Sequence, residues 1–226
     1  AELGDSRIMG GGLVGQGLGS TITGVSVSGV INVSSTSPYM SGIGGIAGVL
    51  SSSGMSPNFI FSKVDSSSSE VSIIARGLYI SAGGLIGDCK DSYITKCYST
   101  QDILGEGAKY AGGLIGLAGN KGKITDSYAL GDVIGSSDTD SGGLIGHSYF
   151  DVESCFALGN VTGCFVGGGL IGYGRMGNIN NSFAVGNVLG AGPVGGLIGF
   201  SYYEGLNSVN NCYASGNIET TQTMPI

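Results

Sequence analysis

A five-residue segment, GGLIG, recurs along the whole chain and constrains its fold more than any other feature. Strict copies begin at Gly83, Gly112, Gly142, Gly168 and Gly195, and looser copies, GGLVG and GGIAG, begin at Gly11 and Gly44. Successive copies start 33, 39, 29, 30, 26 and 27 residues apart. A recurrence at this period is typical of stacked-repeat proteins, in which each repeat adds one structural unit to an array.

A second, ten-residue segment follows each strict GGLIG after a variable polar turn. Its copies are ITKCYSTQDI (94–103), ITDSYALGDV (124–133), VESCFALGNV (152–161), INNSFAVGNV (179–188) and VNNCYASGNI (209–218). An earlier copy, ITGVSVSGVI (22–31), keeps the spacing but has no aromatic residue. The sequence therefore predicts a single repeat domain over residues 1–226, with divergent coils in 1–82 and regular coils in 83–226.

The glycine content favours strands over helices. Glycine accounts for 46 of 226 residues, and each one costs a helix interior about 1 kcal/mol relative to alanine. Short apolar runs bounded by Gly, Asn and Asp are typical of strands joined by tight corners. We therefore expect an all-β fold, a parallel β-solenoid (β-helix) of about seven coils of 26–39 residues, with little or no α-helix.

Composition excludes several classes of partner. Charged residues make up 11% of the chain, the net charge is −7, and the Lys and Arg residues are scattered singly. An acidic chain without a basic stripe predicts no nucleic-acid partner. No apolar run approaches the roughly 18 residues of a membrane helix, so no membrane insertion is expected. So little charge is more typical of extracellular structures than of a cytosolic enzyme.

Alternation within the second segment predicts two faces. Its fourth position is always small (Cys97, Ser127, Cys155, Ser182, Cys212), and so is its sixth (Ser99, Ala129, Ala157, Ala184, Ala214). Its fifth position is always aromatic: Tyr98, Tyr128, Phe156, Phe183 and Tyr213. Either the small residues face inward, leaving an exposed aromatic ladder for a surface or interface, or the rings fill a wider core. The mixed polarity of the seventh position, on the same face as the rings, favours the first orientation.

Acidic and amide residues recur where each second segment ends. They form a predicted corner ladder of Asp102, Asp132, Asn160, Asn187 and Asn217. Gly and Asn/Asp tolerate the left-handed backbone that a sharp corner requires, and stacked side chains of this type can hydrogen-bond along the rod. Calcium could bind such oxygens, but half the column is amide, which favours a structural corner.

The five cysteines are not expected to form a disulfide framework. Cys97, Cys155 and Cys212 share one position on alternate coils, roughly 9–10 Å apart and beyond bridging range. They are predicted to be buried thiols that act as small apolar residues. Cys89 and Cys164 are predicted near turns, and a Cys89–Cys97 bridge is the one candidate pair.

Other motifs are interpreted as by-products of the repeat. Segments 10–15 and 167–172 match G-x-G-x-x-G, but without a following helix this pattern does not bind a dinucleotide. His147, the single histidine, lies near Ser148, Asp140 and Asp151, and is interpreted as part of a variable turn rather than of a triad. The sequence thus predicts no catalytic residue, cofactor or metal site.

The alternation of N-C-Y-A-x-G-N-V-like segments with G-G-L-I-G resembles the GLUG-motif repeats of bacterial cell-surface and secreted proteins. The resemblance is close over 83–218 and looser over 8–80. It implies an extracellular or cell-surface repeat scaffold that is an accessory to adhesion or to cell-surface structure, and it implies no catalysis.

Two functions remain open from the sequence. The first is a non-catalytic extracellular structural or adhesive scaffold that contacts itself, head to tail or laterally, or an extracellular surface or carbohydrate. Because the chain begins with a GGLVG strand and ends just after NCYASGNI, stacking end to end into a filament is one expectation, and excision from a longer repeat protein is the other. The alternative function is a carbohydrate-binding or glycan-active β-helix module of a larger secreted protein, and activity would require paired carboxylates.

Overall fold

The computed structural model describes residues 7–54, 58–202 and 208–221. Within these ranges the fold is all-β and contains no helix, so no helix is present there that could cross a membrane. The strands wind into about seven coils, and neighbouring coils pair in parallel. The prediction of a parallel β-solenoid is confirmed.

The divergent repeats occupy the first two coils, and the regular repeats begin in the third. The first coil holds β1 (Met9–Gly11), β2 (Val14–Leu18), β3 (Thr21–Thr23) and β4 (Ser26–Ser34). The second holds β5 (Ser41–Gly44), β6 (Ala47–Ser51), β7 (Ser62–Asp65) and β8 (Ser68–Arg76). The third, which begins the regular repeats, holds β9 (Ile80–Gly83), β10 (Ile86–Thr95), β11 (Tyr98–Ser99) and β12 (Ile103–Glu106).

The remaining four coils repeat the same plan. The fourth holds β13 (Tyr110–Gly112), β14 (Ile115–Thr125), β15 (Tyr128–Ala129) and β16 (Val133–Ile134). The fifth holds β17 (Asp140–Gly142), β18 (Ile145–Ser148), β19 (Asp151–Glu153), β20 (Phe156–Ala157) and β21 (Val161–Cys164). The sixth holds β22 (Val166–Gly168), β23 (Ile171–Gly174), β24 (Asn178–Asn180), β25 (Phe183–Ala184) and β26 (Val188–Gly190). The seventh holds β27 (Val194–Gly195), β28 (Ile198–Ser201), β29 (Ser208–Asn210), β30 (Tyr213–Ala214) and β31 (Ile218–Thr220).

Stacking the coils produces three sheets. The first sheet runs through β1, β5, β9, β13, β17, β22 and β27. The second sheet carries the strands that follow GGL, and the third carries the end of each coil. The first glycine of every GGLIG copy lies in one column, from Gly11 through Gly112 to Gly195. The repeat thus sets the register of the whole rod.

The second glycine of GGLIG pinches the solenoid. A Cβ placed on Gly143 would lie 2.9 Å from the Cβ of Ala157, and one on Gly113 would lie 2.7 Å from that of Ala129. This is the close approach of two strand layers that the glycines predict, and it requires a small residue on the facing strand. The pinch leaves two separate hydrophobic clusters, one containing Leu114, the other Ile103.

Regular strand alternation would divide the leucine and isoleucine of GGLIG between core and surface, but the structure buries both. They are fully buried in the third to sixth coils and partly buried in the last, as Leu197 and Ile198; the fully buried pairs are Leu85, Ile86, Leu114, Ile115, Leu144, Ile145, Leu170 and Ile171. The chain bends at the second glycine and the leucine, so strand alternation does not hold there. The bend turns two consecutive side chains into the same core.

The small residues of the second segment face inward, and the cysteines follow them. Cys97 and Cys155 are buried, whereas Cys212 in the last coil is partly buried. The prediction that Cys89 and Cys164 lie near turns is correct for Cys164, the last residue of β21 before a bend, but not for Cys89, which lies within β10. Both are buried, one in each cluster. All five cysteines are free thiols, so Cys89 and Cys97 are not bridged.

The serine and cysteine side chains of the inner fourth-position column are hydrogen-bonded to the backbone. The Ser127 hydroxyl accepts the backbone N–H of Cys97 (3.0 Å) and donates to the Thr125 carbonyl (2.7 Å). The Cys155 thiol donates to the carbonyls of Glu153 (3.2 Å) and Ile124 (3.7 Å). The hydroxyl of Ser127 and the thiol of Cys155 are thereby hydrogen-bonded inside an otherwise apolar cluster.

Candidate functional site

The five aromatic side chains form one outward column that is not part of the core. Neighbouring rings from Tyr98 to Phe183 stack with centroids 5.0, 4.7 and 4.9 Å apart and planes within 3–5° of parallel. Tyr98, Tyr128, Phe156 and Phe183 are half-buried. Tyr213 pairs in register with Phe183 and is 62% exposed.

Stacking decides which part of each ring a partner can reach. The faces of Tyr128 and Phe156 are covered by the rings above and below, so these rings present their edges to solvent. Beside them on the same face lie the exposed aliphatic side chains Leu130, Leu158 and Val185. The stacked rings and these three residues form a continuous flat apolar strip, which we call the outer strip. Monomeric proteins rarely leave such patches uncovered.

The corner ladder exists as a chain of hydrogen bonds along the rod. The Oδ1 of Asp102 accepts the backbone N–H of Asp132 (2.8 Å), and the Oδ1 of Asp132 accepts that of Asn160 (2.7 Å). Asn160 does the same for Asn187 (3.0 Å), and Asn187 for Asn217 (2.8 Å). The amide groups of Asn160 and Asn187 add parallel side-chain bonds of 3.2 and 3.1 Å. Each of these side chains therefore binds the next coil.

The reason given for this corner from the sequence holds only in the last coil, where Gly216 beside Asn217 has a φ of 122°. None of the five ladder residues has a left-handed backbone, and neither do Gly131, Gly159 and Gly186. These glycines are required because a Cβ would overlap the backbone of the preceding coil. The left-handed corner lies elsewhere, at the third position of the second segment, where φ is 50–53°: Lys96, Asp126, Ser154, Asn181 and Asn211.

His147 belongs to an aromatic cluster and not to a variable turn, so that interpretation is also wrong. It lies on β18, is 7% exposed, and stacks on Tyr173 with centroids 4.6 Å apart and planes 4° from parallel. Tyr110 contacts it at 4.8 Å with a tilt of 58°, and Tyr149 at 5.5 Å. Its Nδ1 lies 3.3 Å from Oδ2 of Asp140.

The cluster lines a groove where the outer faces of the first and second sheets meet. The groove has a volume of about 570 Å³. Its lining comprises Leu78, Tyr79, Gly107, Lys109, Tyr110, Asp138, Asp140, His147, Phe165, Val166, Tyr173 and Arg175. Burial raises the pKa of Tyr110, with a smaller contribution from Asp140, and burial also raises the pKa of Tyr173. We call this region the aromatic groove.

Arg175 is fixed at the aromatic groove by two tyrosines. Its Nη1 donates to the Tyr149 hydroxyl (3.0 Å), a bond that raises the pKa of the guanidinium. The guanidinium carbon lies 4.6 Å from the centroid of the Tyr202 ring and 5.6 Å from that of Tyr149. Both distances are within the range of cation–π attraction.

The aromatic groove does not assemble a nucleophilic triad. Ser148 follows His147 in a strand, so the two side chains point to opposite faces, and the Ser148 hydroxyl accepts the N–H of Phe150 (3.2 Å). Within the described ranges no group of three His, Cys, Asp or Glu side chains could hold a metal ion. Aromatic walls with cationic and carboxylate side chains are instead a chemistry of binding.

A sequence signal for the aromatic groove existed at the residue directly after GGLIG. That position is Asp88, Leu117, His147, Tyr173 and Phe200 in the five strict repeats. These residues are register partners in the second sheet. The last three are planar rings, so stacked coils had to bring them together.

The fold defines the class of protein, a parallel β-solenoid built from repeats. Residues 107–134 match the family model described as "The GLUG motif". The matched stretch contains one GGLIG and one second segment, which together make the fourth coil. The chain is thus consistent with a GLUG-motif repeat protein, and the resemblance noted in the sequence is confirmed. A search of curated proteins gave no match.

Proposed function

We propose that the chain is a non-catalytic, extracellular adhesive scaffold that attaches laterally to a second copy of itself through the outer strip. The observation that carries the proposal is the strip itself, in which edge-exposed rings lie beside Leu130 (38% exposed), Leu158 (44%) and Val185 (42%). Low charge and the GLUG match support an extracellular or cell-surface location.

The stacked rings favour a flat protein partner over a sugar. Sugars bind aromatic side chains through the ring face, and the faces within this column are covered by neighbouring rings. A second rod carries the same spacing of about 4.8 Å between coils. Its strip can therefore meet this one in the same register over several coils, and this periodic match supports a second copy as the occupant.

Sedimentation velocity over a range of protein concentrations tests the proposal. We expect dimers or larger side-by-side assemblies that dissociate in the double variant Leu130→Lys, Leu158→Lys, because two charges would be buried at the contact. Both positions are exposed, so circular dichroism should remain unchanged. Val30→Lys, at an apolar side chain 68% exposed in the first coil, is the matched control and should still associate.

A monomer at every concentration would refute lateral attachment. Assembly that survives the double lysine variant would also refute it, and negative-stain images would then show whether the rods join end to end. The prediction that the chain is not an enzyme is checked separately by measuring release of reducing ends from polysaccharides.

Carbohydrate binding is the second candidate function, and the aromatic groove favours it. Phe165 and Tyr79 are 43% and 45% exposed there, and within the described part of the chain neither stacks on another ring. Polar side chains that can bind sugar hydroxyls line the same groove. The two functions use different surfaces and can be tested independently.

A further inference from the structure

We infer that the aromatic groove is a binding site for acidic polysaccharide, with Arg175 as the group that binds the sugar carboxylate. The inference specifies the second candidate function, carbohydrate binding, and does not depend on the outer strip. The ligand class is a chain of hexuronic acid units, which the charged and the apolar walls of the groove would both contact.

The guanidinium of Arg175 is held in place but has no carboxylate partner in the part of the chain that the structure describes. Tyr149 and Tyr202 hold its guanidinium by a hydrogen bond and by their rings. Among the described residues Arg175 forms no ion pair, whereas Arg76, Lys90 and Lys123 each have a carboxylate partner. A fixed guanidinium with free N–H donors matches the two oxygens of a carboxylate.

Both cationic and acidic side chains line the aromatic groove. Lys109 also lines it and forms no ion pair within the described ranges, although the chain as a whole carries a net charge of −7. The groove also holds two carboxylates, Asp138 and Asp140, and Oδ2 of Asp140 lies 3.3 Å from Nδ1 of His147. The two cationic side chains balance these carboxylates, so binding of an anionic ligand depends on the fixed guanidinium of Arg175 and its free N–H donors. Asp138 can accept hydrogen bonds from sugar hydroxyls.

The aromatic groove also has a size and lining that suit a sugar chain. A volume of about 570 Å³ lies within the usual range of roughly 300–1,000 Å³ for clefts that bind small ligands. The exposed rings of Tyr79 and Phe165 and the side chain of Leu78, 65% exposed, supply apolar walls. Apolar walls with adjacent charged groups suit a pyranose chain, whose ring faces are apolar and whose edges carry hydroxyls and carboxylates.

Isothermal titration calorimetry with tetragalacturonate tests the inference, and its methyl ester provides a neutral ligand of the same shape. We expect wild-type protein to bind the acid at least about tenfold more tightly than the ester, as for a lost charged hydrogen bond. Arg175→Gln should abolish this preference while keeping the weaker ester binding. Arg76→Gln, at an exposed arginine paired with Glu106, is the matched control and should keep it. Phe165→Ala should weaken both ligands.

Equal affinity for acid and ester would overturn the inference, and so would an Arg175→Gln variant that retains the preference or the absence of binding to either ligand. Tetraglutamate is tested as a competing acidic peptide. If it binds as tightly as tetragalacturonate, the groove is a site for acidic peptides instead. The double lysine variant of the outer strip should bind tetragalacturonate normally, so failure of lateral attachment and failure of this inference are distinguishable.

Discussion

Gly143 is the second glycine of GGLIG in the fifth coil, where two strand layers approach closely, and we predict that adding one methyl group there destabilises the rod. A Cβ there would overlap the carbonyl oxygen of Gly169 in the next coil and lie 2.9 Å from Ala157, where carbon atoms prefer about 3.5–4.0 Å. Relief requires a shift of roughly 1 Å, which strains the inter-coil bond from Gly143 N–H to Gly168 O (3.1 Å). Overpacking of about 1–3 kcal/mol and one or two weakened hydrogen bonds of about 1 kcal/mol each give a loss of about 2–5 kcal/mol.

Urea denaturation followed by circular dichroism measures the effect of Gly143→Ala. Gly119→Ala is the control, since a Cβ there would meet only the flexible Lys90 side chain at 3.1 Å. With ordinary backbone angles at Gly119, alanine reduces the freedom of the unfolded chain and should stabilise by up to about 1 kcal/mol. A Gly143→Ala variant within about 1 kcal/mol of wild type would refute the packing argument.

Two further predictions concern the ladder and the thiols. Asn160→Ala removes the acceptor of the Asn187 N–H and should cost about 1–2 kcal/mol in urea denaturation; an unchanged midpoint would show that water replaces the bond fully. Burial raises the pKa of Cys97 to about 11 and that of Cys155 to about 12. In the unfolded chain these thiols ionise near pH 8.5, whereas in the folded protein they stay protonated. The free energy of unfolding is therefore highest below about pH 8.5 and falls as the pH rises from there through 11–12. The variant Cys97→Ser, Cys155→Ser should show a shallower alkaline loss, and equal losses would contradict the assignment.

The sequence predicted the rod and its inner and outer faces because repetition supplies long-range information. Copies in phase must stack, so the column of Gly112 and its counterparts could be read directly from the period. Small residues such as Ala129 and Ala157 recur because the facing glycine leaves no room for a larger side chain. Size at a repeated position is a physical constraint that a single chain reveals by itself.

Features that depend on the bends were not predicted correctly. Strand alternation cannot place Leu114 and Ile115 together in the core, because the chain turns between the two sheets there. The left-handed corner at Lys96 and Ser154 carries residues with little preference for that backbone, so stacking imposes the conformation. The aromatic groove was missed because its two walls come from different sheets.

The repeat thereby separates positions that specify the fold from positions that are free to vary. A larger side chain at the second glycine of GGLIG meets backbone atoms of the next coil and is excluded in the first six coils, whereas Gly196 in the last coil meets only side chains. The residue after GGLIG points outward from the second sheet, so stacking places no such limit on it, and its identity changes from Asp88 to His147 to Phe200. Ligand chemistry can therefore differ along one rod without a change in the coil. Arg175 in the sixth coil, to which we assign the sugar carboxylate, is the third residue after GGLIG, a position whose identity also changes from coil to coil.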